Sequence, residues 1–155
     1  MVTAMKNRLS LLSAFLLAVI CLAPAVADDA SREPVFLTSE ALAGLPFSEA
    51  VRVGDLLFLA GQLGTVPGKG LVEGGIQAET RQAMQNIKRV VEKYGSSMDK
   101  VVKCTVMLAD IKEWAAMNEV YKTFFDERYP ARSAFGASGL ALDARVEIEC
   151  IAAAG

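Results

Sequence analysis

The sequence predicts an α+β domain in which one sheet carries two helices on one face. Two segments, 83–94 and 111–125, repeat apolar residues at the helical period of 3.6. Two others, 101–108 and 146–152, alternate at the strand period of two. The strand-prone segments lie before, between and after the helices, in the order β-β-(β)-α-β-α-β-β, so the elements share one layered unit.

The strands begin with a hairpin. Residues 49–53 and 56–61 are β-prone and are split by Gly54-Asp55, a two-residue pair that favours positive φ and a tight turn. Residues 61–75 hold six glycines and Pro67 and read as a loop, with a short strand near Leu71-Val72. No Lys-Ser or Lys-Thr pair follows these glycines, so the loop is not a phosphate cradle. The first helix is predicted over 76–94, with Ala83, Met84, Ile87, Val90, Val91 and Tyr94 on one stripe and Gly95 as its C-terminal cap.

In the next strand Val102, Cys104, Val106 and Leu108 face one way, and Lys103, Thr105 and Met107 the other. Asp110 is the expected N-cap of the second helix, with Glu113 completing a capping box. Ile111, Trp114, Met117, Tyr121, Phe124 and Phe125 form its apolar face, and it must end before Tyr129-Pro130. A strand follows from Arg132 to Phe135, then a Gly136/Gly139 loop. In the last strand Val146, Ile148, Cys150 and Ala152 alternate with Glu147, Glu149 and Ile151. The second set shares an uncovered face with Lys103, Thr105 and Met107, and the apolar members of that face need a partner surface.

The ends of the chain read differently. Residues 1–27 have the pattern of a secretory signal peptide: Lys6 and Arg8, an apolar run over 9–23, then Pro24 and Ala25-Val26-Ala27 before Asp28-Asp29. The run is shorter than the ~20 residues a membrane span needs. Cleavage is expected after Ala27, so the mature protein would be periplasmic or secreted, with no membrane attachment. Residues 28–44 read as an extended leader and 45–155 as the domain. Met5 is an alternative start to Met1. Cleavage removes two bases and no acids, taking the net charge from −2 to −4, which disfavours nucleic-acid binding. Cys21 leaves with the signal. Cys104 and Cys150 remain, and their plainer reading is two reduced core thiols. A disulfide would require their strands to be neighbours.

The 155 residues include no histidine, which removes Ser-His-Asp and Cys-His catalysis and histidine metal sites. No Cys-x-x-Cys pair is present, and no metal or cofactor is expected. Two residues stand out as chemistry: Arg132 at the start of a strand, and Glu147 on the open face of the last one. An arginine and an in-strand carboxylate can bind an anionic substrate and move a proton, although each alone is also an ordinary surface residue.

Residues 45–152 carry a set of stretches in order: Pro46-Phe47-Ser48-Glu49-Ala50-Val51, Ala60-Gly61-Gln62, Thr80-Arg81-Gln82-Ala83 through Asn86-Ile87, Asn118-Glu119-Val120-Tyr121, Pro130-Ala131-Arg132-Ser133 and the last strand from Val146. In these the chain resembles the Rid/YjgF family of enamine/imine deaminases, whose members also bear the L-PSP endoribonuclease label. The resemblance implies a chorismate-mutase-like α+β subunit and a homotrimer with clefts between subunits. It implies hydrolysis of 2-imino acids, formed from enamines of the 2-aminoacrylate type, to 2-keto acids and ammonia.

On that basis Arg132 would clamp the substrate carboxylate and Glu147 would orient water and shuttle protons. Asn118 would lie near the cleft or be a helix-surface amide. Trp114 would wall the cleft or pack in the core. Gly61 would admit a close approach or serve a turn. Phe47 would line the wall, where the family often has Tyr; Ala60 and Ala134 likewise replace a common Ser and an occasional Cys. A trimer that binds small carboxylates without turnover is a second reading. A ribonuclease or translation inhibitor is a third, disfavoured by the charge and the missing histidine.

Overall fold

The computed structural model describes residues 33–154. The expected signal peptide lies outside them. A seven-stranded mixed sheet forms the frame, with two helices packed on one side. In chain order the strands are β1 (Val35–Leu37), β2 (Ala50–Val53), β3 (Leu56–Leu59), β4 (Gln62–Leu63), β5 (Thr65–Val66), β6 (Gly70–Leu71), β7 (Val101–Leu108), β8 (Ala131–Gly136) and β9 (Val146–Ala153). The helices are α1 (Gly75–Lys93) and α2 (Trp114–Tyr121). Six strands run in the order β1-β2-β3-β9-β7-β8, β4 also pairs with β9, and β5-β6 form a separate ribbon. All the sheet pairings are antiparallel except β7–β8. A parallel pair needs a crossover, and α2 supplies it. No helix among the described residues is long and apolar enough to cross a membrane.

The α1 stripe is the centre of the core. Met84, Ile87, Val90 and Val91 are fully buried against Val106, Ile148 and Leu57. Burying each such side chain stabilises the fold by about 1.5–3 kcal/mol. The helix stops at Lys93, and Gly95 turns the chain away at φ 81°. Glu49, just before β2, is buried beside Lys93 Nζ (2.5 Å), Tyr94 Oη (2.7 Å) and Arg89 Nη1 (3.5 Å). Burial pushes its carboxyl up, but these donors outweigh that and hold it below its ordinary value.

The structure differs from expectation in four places. Residues 28–44 are not wholly a leader: Val35–Leu37 pairs with β2, so the folded unit begins before Leu45. Val102 is not in the core. A bulge between Val101 and Lys103 turns Val101 inward and leaves Val102 47% exposed. The second helix is broken. Asp110 Oδ1 accepts from Lys112 N at 2.9 Å, but the first turn, Ile111–Glu113, and the last, Lys122–Phe124, are 3-10, and Glu113 pairs with Arg145 instead of closing a capping box.

Finally, Cys104 and Cys150 are not free thiols. They sit directly opposite each other on β7 and β9, with Cα atoms 4.1 Å apart, and form a disulfide. The narrow spacing of this antiparallel pair brings the side chains within bonding reach.

Candidate active site

The α1 helix positions one half of the site. Gly64 lies against the backbone of Glu79, closer than a Cβ would allow. Asn86 Nδ2 donates to the carbonyls of Leu63 (3.0 Å) and Thr65 (2.9 Å), which pins the glycine-rich loop to the helix. Glu79 accepts from the backbone N–H of Arg145 at 2.8 Å and so holds the start of β9. Between these anchors Gln62 and Leu63 pair with Ile148 and Glu147.

Gly61 is thereby pressed against Glu147. A Cβ at Gly61 would collide with the Glu147 carboxylate, with Cδ at 2.8 Å and Cγ at 3.0 Å. Gly61 is absent from the residues with positive φ, so close approach, and not turn geometry, is what requires glycine here. Burial raises the Glu147 pKa above its ordinary value, and the neighbouring Glu149 raises it further. Phe47 and Ala60 border an apolar hollow of about 630 Å³, with Phe36, Val51 and Phe58. Phe47 is half exposed.

The other half gathers around Arg132. Its Nη1 donates to Asn118 Oδ1 at 2.6 Å. Its guanidinium carbon stands 4.7 Å from the Tyr121 ring centre and 5.7 Å from that of Trp114. Asn118 is therefore no free surface amide. Trp114, 44% exposed, walls this site and is not in the core. Among the described residues no carboxylate pairs with Arg132. A hollow of about 370 Å³ opens beside it, bordered by Lys122, Tyr129 and Pro130.

The two halves are not together. Arg132 pairs with Cys104, whose side chain is on the helix-covered side of the sheet. Glu147 pairs with Met107, on the other side. Three residues along the strands and two strands across separate them, roughly 14 Å between Cα atoms. The structure thus brings Gly61 and Glu147 into one group and Trp114, Asn118 and Arg132 into another, while Phe47 lines a separate hollow with Ala60. Tyr121 belongs with the second group. The sequence reading left it in the apolar stripe, although its i, i+3 spacing from Asn118 was a usable signal.

Fold and site together define a class: a small α+β subunit that presents a cation on one face of its sheet and a carboxyl of raised pKa on the other. The family model described as Endoribonuclease L-PSP matches residues 38–154, and the chain belongs to that family, which is the Rid/YjgF family. It is 42% identical over 123 residues to a 2-iminobutanoate/2-iminopropanoate deaminase of Capra hircus, covering 78% of this chain and 90% of that one. Its fold is similar to the crystal structure of YEO7 from yeast, with a TM-score of 0.75, 39% identity, and coverage of 79% of this chain and 100% of the other. It is likewise similar to E. coli TdcF with bound serine, with a TM-score of 0.70, 33% identity, and coverage of 77% and 98%. Among the described residues no cluster of three His, Cys, Asp or Glu side chains converges as a metal site.

Proposed function

We propose that the protein hydrolyses 2-imino acids to 2-keto acids and ammonia, at clefts shared between copies of a homotrimer, outside the cytoplasm. The observation that carries the reading is a matched pair of chemistries. Among the described residues Arg132 has no carboxylate partner, and Glu147 is a carboxyl whose pKa is raised. The names of similar proteins as imine deaminases, and the serine bound to TdcF, support the substrate class.

Arg132 grips the substrate carboxylate through parallel N–H donors. Glu147 takes a proton from water as the oxygen attacks the iminium carbon. The C=N electron pair moves to nitrogen and Glu147 passes the proton to that nitrogen; as the C–N bond breaks, Glu147 takes the remaining hydroxyl proton, the C=O bond forms, and the proton leaves with the released ammonia as ammonium. Because Arg132 and Glu147 occupy opposite faces, one cleft takes each from a different copy. The apolar row Phe36, Val51, Phe58 and Ile151 on the open face gives those copies a surface to meet on. Export is supported by the pattern of residues 1–27 and by the disulfide, which persists in oxidising compartments.

The test supplies imino acids from an amino-acid oxidase and times keto-acid release. Wild type is expected to accelerate release, and Arg132→Ala to fall to near background. The wild-type rate should climb on the acid limb at a pH above the ordinary glutamate range, because ionised Glu147 is the active form and its pKa is raised. No acceleration across several side chains would overturn the deaminase. Recovery of the processed chain from the cytoplasm would overturn its export.

A further inference from the structure

We propose that Tyr121 is a positioning residue for Arg132: its ring is the bed that keeps the guanidinium extended and open to a carboxylate. The identity of that carboxylate rests on the deaminase reading above, while the bed itself rests on geometry.

An arginine on an edge strand ordinarily swings into water or pairs with the nearest acid. Among the described residues Arg132 has no acid partner, and its guanidinium lies against two rings. Trp114, Asn118 and Tyr121 follow one another at i, i+4 and i+7, so they form one stripe of α2 facing the guanidinium. Asn118 occupies one N–H and leaves the others for a ligand. A carboxylate in place of these rings would cancel the charge that must attract the substrate; an aromatic face holds the cation without cancelling it.

Of the two rings Tyr121 is the nearer and the better fixed. It is 3% exposed and packs at 5.1 Å on Phe125, whereas Trp114 is partly in solvent. The Tyr121 hydroxyl is buried and, among the described residues, has no hydrogen-bond partner. Burial pushes its pKa up to about 12, against the pull of Arg132, so no phenolate forms to neutralise the arginine. The ring is what faces the guanidinium, and the role is assigned to it.

The experiment replaces Tyr121 with Phe and with pentafluorophenylalanine, two rings of similar shape and opposite quadrupole. Binding of 2-oxobutanoate is read by fluorescence of Trp114, the only tryptophan in the chain, and imine turnover is followed in parallel. Tyr121→Phe is expected to keep the Kd within about twofold of wild type. The fluorinated ring should raise Kd and KM by about five- to tenfold with kcat little changed, because Arg132 grips the same carboxylate in ground and transition states. Equal Kd values for the two rings, both folded by circular dichroism, would overturn the positioning role and leave the deaminase standing. Fluorine-sensitive binding without imine turnover in wild type would do the reverse. A wild type that neither binds nor turns over would overturn both.

Discussion

Gly61 and Glu147 act as a single unit, since the carboxylate occupies the volume that a side chain at 61 would fill. Gly61→Ala therefore leaves the backbone unstrained and displaces the carboxylate. An ångström of misplacement at a reacting group can cost about 10²-fold in rate. The expected outcome is a kcat lower by roughly that factor with Tm nearly unchanged, measured by steady-state kinetics and a thermal melt; a kcat equal to wild type would remove Glu147 from the chemistry. At this scale the sequence was legible where chemistry is written in the residue type. An arginine at the start of a strand and a glutamate within one were visible as candidates. Trp114 was legible as a wall or a core residue and Tyr121 only as a core residue, although both rings face the cation, because the position of β8 decides where the guanidinium sits. The orphaned Tyr121 hydroxyl leaves no mark in the sequence at all.

The disulfide belongs to the scale of elements, because it bonds β7 to β9 across 46 positions of sequence. Constraining a loop of that size in the unfolded chain stabilises a fold by about 2–4 kcal/mol. Cys104→Ala, or wild type unfolded and refolded in reductant, should lose about that much in a urea titration. Coincident curves with and without reductant would show that the bond contributes nothing. Alternation in 101–108 and 146–152 correctly placed both cysteines on core faces. It could not pair them, because strand order is a property of the sheet: β9 inserts between β3 and β7, and no local pattern says so. The same limit explains Val102. A bulge is a mismatch between two strands, and it is invisible in either one alone. The two helices were legible in their apolar stripes. The 3-10 turns flanking α2 were not, since the apolar period continues through them.

For the molecule as a whole, opposite faces have a consequence that no single chain can test. Arg132→Ala and Glu147→Gln should each be inactive alone. Dissociated together and reassembled at equal amounts, they should recover about a quarter of wild-type activity, since a cleft shared as proposed would need an intact residue from each of two neighbours and random assembly supplies both in that proportion. Activity that stays at background, in mixtures shown to have exchanged subunits, would mean that clefts are not shared. The layered α+β architecture and the apolar residues on its open face were readable from hydrophobic alternation. The separation of the two site halves was not, because it depends on Arg132 being in register with Cys104 and Glu147 with Met107. The bond between Cys104 and Cys150 also closes the chain on itself around most of the chemistry. Trp114, Asn118, Tyr121, Arg132 and Glu147 all lie between the two cysteines, and only Phe47 and Gly61 lie outside. A backbone cut at the exposed turn around Leu142 therefore frees no piece of this region: the severed ends stay tethered, and the arginine and glutamate halves part company only when a reductant reaches the core.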